Sequence, residues 1–107
     1  KVIGLLGDGS AMYSIQALWS AAQLQLPITF IILKNRRYAA LQEFAPTFGF
    51  HEGDKLEGTD LPDLDFLALA RGQGCEAVRV SDARQLATVL REALAHPRAM
   101  LVEVDVA

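Results

Sequence analysis

The chain has 107 residues, the size of one modest domain. Half of them are hydrophobic (51%), 7% are aromatic and 21% charged, a composition that folds and excludes a disordered segment. With 10 basic and 13 acidic residues the formal net charge is -3 and no basic stripe forms, which argues against a nucleic-acid surface; no apolar run approaches the roughly 20 residues that cross a membrane.

The chain opens inside an apolar, strand-like run, Val2 to Leu6, without an initiator Met or a signal peptide. The expectation is therefore a piece of a longer chain, truncated on its N-terminal side. From Ala11 to about Gln23, Met12, Ile15, Leu18, Trp19 and Ala22 recur at helical spacing, with Ser10 placed to cap the helix. Ile28 to Leu33 is apolar throughout, as in a strand covered on both faces. Tyr38 to Phe44 reads as a short helix halted before Pro46. Residues 45–63, broken by Gly49, Gly53, Gly58 and Pro62, read as a long surface excursion. A helix follows from Leu64 to about Arg71, closed by Gly72 or Gly74. Glu76 to Val80 alternates as a strand, Asp82 caps a helix that runs to about Ala95, and Met100 to Val106 is the last strand.

Strands that alternate with helices predict a parallel sheet with crossover connections, here a three-layer α/β/α arrangement with a mostly parallel sheet. The lone Cys75 has no partner for a disulfide or a metal site and is expected buried at a strand start, in a reducing, cytoplasmic setting. His51 with Glu52 and Asp54 matches no ligand geometry and reads as solvated charge.

The chemistry concentrates at two turns. Gly7-Asp8-Gly9-Ser10 follows the first strand, and Asn35 follows the second, 27 positions after Asp8. That interval is about one strand–helix–strand crossover, so both side chains emerge at the same edge of a parallel sheet. The flanking glycines let the backbone turn and a ligand come close. The free N–H groups of a helix start suit phosphate oxygens. A carboxylate, an amide oxygen and a carbonyl from the turn at 36–37 could supply three of the six oxygens that magnesium takes. Each half alone is commonplace: a strand-to-helix turn, and an Asn that ends a strand.

Together, GDG and a later Asn-containing turn resemble the motif of the thiamine diphosphate enzymes, a family of decarboxylases, synthases and transketolases. The resemblance covers the whole chain. Within the family, GDGSAMYSIQALWSAAQLQLP, NRRYAALQEFAP and the stretch Gly58 to Phe66 look closest to the benzoylformate decarboxylase branch. The resemblance implies thiamine diphosphate and Mg²⁺ as cofactors, with Asp8, the Asn35 side chain and the Arg37 carbonyl as metal ligands. Gly7, Gly9, Ser10 and Tyr13 would hold the diphosphate end. Tyr38, Ala39, Ala40 and Leu41 would line the approach to the thiazolium, and Ala40, Leu41 and Phe44 would shape a pocket for an aromatic 2-oxo acid.

Decarboxylation of benzoylformate to benzaldehyde, as in mandelate catabolism, is the implied activity of a longer parent. That parent would be a homodimer or homotetramer, and it would carry its acid–base residues outside this chain, which alone would be inactive. Two departures from the family pattern stand out. Lys34 replaces the first Asn of the usual Asn-Asn pair, and Arg36 stands where a Gly often follows, a strained choice if the position needs φ > 0. An acetolactate synthase-like carboligase and a non-catalytic phosphate-binding α/β module remain as alternatives.

Overall fold

The computed structural model describes residues 1–107. Four strands, β1 (Val2–Gly7), β2 (Ile28–Lys34), β3 (Glu76–Val80) and β4 (Met100–Asp105), form one sheet in the order β1-β2-β4-β3. Every pairing is parallel. The register sets Gly7 beside Leu33 and Lys34 beside Asp105, so the turns that follow β1 and β2 leave the same edge.

The predicted helix over 11–23 is two helices, α1 (Asp8–Met12) and α2 (Ala17–Gln23), joined by turns at 13–16. Helical periodicity persists across the break because Ile15 still packs against the core. Helix α1 begins earlier than predicted. Gly7 occupies the N-cap position with an extended backbone, and Ser10 lies within the helix, exposed. The strand passes straight into the helical turn, with no side-chain cap.

Helix α3 (Ala39–Phe44) runs into a 3₁₀ turn at Ala45–Phe48, with Pro46 in its first positions, where a missing N–H is harmless. Helix α4 (Phe66–Gly72) starts two residues later than predicted. Its cap is Asp65, whose Oδ1 accepts from the N–H groups of Leu67 (3.0 Å) and Ala68 (3.2 Å). Asp82 caps a 3₁₀ turn at Ala83–Gln85 that leads into α5 (Leu86–Ala95).

Two cores flank the sheet. The larger one packs α1, α2 and α4 through Ala11, Leu18, Ala21, Phe66 and Ala70 onto Ile32 and Leu101. Cys75 joins it, buried directly before β3 as expected, with its thiol directed at the Leu18 carbonyl. On the opposite face α5 packs Ala93 against Val80, Val102 and Val104. Helix α5 does not reach β1, so Ile3 and Leu5 stay exposed. The apolar run of β2 therefore overstates its cover. Ile32 is buried, whereas Leu33 is 37% exposed.

Candidate functional site

The turns after β1 and β2 enclose a cavity of about 200 Å³ lined by Gly7, Asp8, Gly9, Ser10, Asn35, Arg37, Tyr38, Ala39, Ala40 and Leu41. Ten residues from two distant segments thus share one small hollow at the carboxyl edge of a parallel sheet, where open α/β sheets bind their ligands.

Asp8 is 2% exposed. Its Oδ1 accepts from the Gly9 N–H (2.9 Å) and its Oδ2 from the Arg36 N–H (2.7 Å). A buried carboxylate needs such donors, and each oxygen retains a lone pair after accepting one bond. The Asp8 side chain therefore joins the two turns directly. Asn35 accepts through Oδ1 from the Arg37 N–H at 3.2 Å, an Asx turn that fixes the amide at the start of the second turn. The Arg37 carbonyl accepts no hydrogen bond within the chain. Asp8, Asn35 and Arg37 all line the one cavity.

The arginines separate. Arg36 has φ +62, the left-handed region, as the sequence pattern had made conditional. Its guanidinium turns away from the cavity to Asp105 Oδ1, 2.8 Å away. Lys34, the other departure, is 8% exposed and lies on the core side of the sheet, 3.5 Å from Glu103 Oε1. Neither side chain lines the cavity.

Gly9 is buried against Tyr38: a Cβ placed on it would lie 2.6 and 2.7 Å from two ring carbons. Only glycine lets the α1 backbone meet that ring. Tyr13 does not line the cavity. It is 76% exposed and stands at its mouth, its ring centre 6.3 Å from that of Tyr38. Phe44 is also outside. It lines a neighbouring apolar hollow of about 490 Å³ with Phe48, Phe50 and Leu56, and Leu41 borders both spaces.

The contacts that brace these turns leave no motif in the sequence. Within the stretch read as a surface excursion, Thr59 accepts through its carbonyl from the Tyr38 N–H (2.7 Å), and Leu61 donates to the Arg36 carbonyl (2.8 Å). Gln42 then ties α3 to Thr59 and Asp60. A second brace is the fully buried Glu103, which accepts from Arg79 Nε (2.6 Å) and from the Phe66 N–H (3.0 Å) beside Lys34. Periodicity carries no trace of the loop contacts. A lone Glu in the apolar run Met100 to Val106 was the available signal for the second. His51 stands apart, exposed and 3.6 Å from Asp54, and no cluster of three His, Cys, Asp or Glu side chains forms anywhere in the chain.

The class follows from fold and comparison together. Residues 1–104 match the family described as thiamine pyrophosphate enzyme, C-terminal TPP binding domain, and the chain belongs to that family. Among its relatives is the benzoylformate decarboxylase of Pseudomonas aeruginosa, 51% identical over 104 residues, which are 97% of this chain and 19% of that protein. The acetolactate synthase large subunit of Escherichia coli isozyme 3 is 33% identical over 98% of this chain and 18% of its own length. A solved structure, the thiamine diphosphate-dependent 4-hydroxybenzoylformate decarboxylase of Rhodococcus jostii RHA1, superposes with a TM-score of 0.90 at 43% identity, covering 98% of this chain and 19% of that one. The chain thus spans about a fifth of the length of the relatives it matches.

Proposed function

We propose that the protein carrying this chain decarboxylates an aromatic 2-oxo acid, benzoylformate first among them, and that residues 1–107 form the part of its cofactor domain that holds Mg²⁺ and the diphosphate end of thiamine diphosphate. The observation that carries this reading is that Asp8, Asn35 and Arg37, which offer a carboxylate, an amide and an unpartnered carbonyl, line one cavity. Three hard oxygens without His or Cys suit Mg²⁺, which completes its shell with phosphate oxygens and water. Asp8, Asn35 and the Arg37 carbonyl would hold the metal. The Ser10 hydroxyl and the first N–H groups of α1 would meet the diphosphate, with Gly7 and Gly9 letting it come close. When bound, thiamine diphosphate supplies the electron sink that loss of carbon dioxide from a 2-oxo acid requires.

The chain's own residues orient and enclose. Asp8, its two backbone donors in place, keeps the turns at a fixed separation. Tyr38 forms one wall, Tyr13 stands beside it, and Ala39 and Ala40 keep the cavity open by their small size. Leu41 and Phe44, 55% and 63% exposed, extend the wall into an open, mostly apolar hollow that would offer contact area to an aromatic substrate. The names of the Pseudomonas and Rhodococcus relatives point to such a substrate. The proton-transfer groups are assigned to other parts of the protein, and the 107 residues alone would not turn over. Exposed Val2, Ile3, Leu5 and Trp19 would be covered by the rest of the protein or by a second copy; a cytoplasmic homo-oligomer, a dimer or tetramer, is the form expected of the whole protein.

The test compares benzoylformate and pyruvate as substrates of the full-length protein with thiamine diphosphate and Mg²⁺. Faster decarboxylation of benzoylformate, abolished by chelation, is expected. A preference for pyruvate, with carbon–carbon ligation as product, would favour a synthase and overturn the substrate assignment.

A further inference from the structure

Arg36 presents a conflict and its compensation. Its φ of +62 is a conformation that a side chain with a Cβ adopts at a cost, and its N–H is the donor that links the second turn to Asp8. Nothing about the cavity requires the arginine side chain, which points elsewhere. It ends on Asp105, at the last position of β4, and Asp105 is itself oriented by the Ser81 hydroxyl, 2.8 Å from Oδ2, just beyond β3. One residue further, the Val106 N–H donates to the Lys34 carbonyl at 3.0 Å. The end of β4 therefore grips the end of β2 on both sides of Asn35, once through the backbone and once through an ion pair. Arg36 is half-exposed and Asp105 is one quarter exposed, so the pair has a modest strength, of the same order as the strain it opposes.

We propose that Asp105 is a positioning residue of this site: with Ser81 behind it, it holds Arg36 in the left-handed conformation that directs the Arg36 N–H at Asp8 and keeps Asn35 and the Arg37 carbonyl facing the cavity. Asp105 does not line the cavity. It acts through the turn, in place of the conformational freedom a glycine at position 36 would have. The inference rests on the metal-site reading above only for its consequence on binding. The turn itself can be examined without any ligand.

Two readouts separate the cases. The first is amide hydrogen exchange of residues 34–38 in the ligand-free, full-length protein, for wild type, Asp105→Asn, Ser81→Ala, Arg36→Gly and the double variant Arg36→Gly/Asp105→Asn. The second is the Kd for thiamine diphosphate in Mg²⁺, by calorimetry on the same set. Asp105→Asn should speed exchange of the Arg36 and Arg37 amides and weaken binding about three- to fivefold, the scale of one partly exposed ion pair. Ser81→Ala should do the same to a smaller degree and carries the test if Asp105→Asn fails to fold. In the Arg36→Gly background, Asp105→Asn should change neither quantity, because glycine adopts φ +62 without help. Unchanged exchange in Asp105→Asn, or an equal loss in both backgrounds, would overturn the proposal. Exchange that behaves as described in a protein that binds no cofactor would leave the clasp standing and defeat the metal-site reading instead.

Discussion

Asp8 accepts two backbone N–H groups, one from its own turn and one from Arg36, before any ligand arrives. That preorganisation explains why a carboxylate 2% exposed is tolerated at the end of an edge strand. Gly9 has the tightest fit in the neighbourhood. Gly9→Ala must push the Tyr38 ring out of the cavity wall, and such overpacking costs about 1–3 kcal/mol. Chemical denaturation should show that loss, together with weaker thiamine diphosphate binding. The carboxylates that cap and clasp respond to pH in one direction. The Ala68 N–H and then the Arg79 charge hold Asp65 below its ordinary 3.8, and the Ser81 hydroxyl and then Arg36 do the same for Asp105. A carboxyl lowered by folding stabilises the fold above the unfolded value, about 3.9, and that contribution vanishes as pH falls through the lower folded value. Thermal melts should thus be flat near neutrality and drop below about pH 4, and Asp65→Asn should make the drop shallower.

The strands and their order of succession were legible because apolar runs and Gly/Pro punctuation report them directly. Asp8 and Asn35 were legible as a pair because a parallel crossover brings the ends of successive strands to one edge. The break between α1 and α2 was not legible: Met12, Ile15 and Leu18 keep helical spacing through a non-helical turn, so the pattern reports which side is buried and not the hydrogen bonding. The loop carrying Thr59 and Leu61 was hidden for a different reason, since its role lies in backbone donors and acceptors that every residue possesses. Glu103 was hidden by its apolar neighbours. It accepts from the first N–H of α4 at Phe66, pairs with Arg79 and faces buried Lys34, so it gives that lysine a counter-charge. Glu103→Ala leaves the Lys34 charge and the Phe66 N–H without a partner, and a loss of about 3 kcal/mol is expected. Glu103→Gln keeps an acceptor for Phe66 and should lose less. Urea unfolding of both variants checks the order.

At the scale of the molecule, the sheet is asymmetric. Helix α5 covers β3 and β4, while β1 is an edge strand with Val2, Ile3 and Leu5 exposed at 58%, 54% and 64%. An uncovered apolar edge invites association. The isolated 107 residues should self-associate in light scattering, and Ile3→Lys should reduce it without altering the thermal midpoint by more than about 4 °C, the range of a surface change. The cavity lies at the opposite end of β1 from Ile3, which keeps that test independent of the site. In that cavity Asp8, Asn35 and the Arg37 carbonyl would hold one divalent cation under a diphosphate. Calorimetric titration of the full-length protein with thiamine diphosphate, in Mg²⁺ and again in a chelator, measures it directly, with Asn35→Ala as the companion variant. Saturable binding that needs the metal and is weakened at least tenfold by Asn35→Ala is the predicted result, about 1.4 kcal/mol for one lost ligand. Binding of equal strength in the chelator, or in Asn35→Ala, would rule out a cation held by these residues.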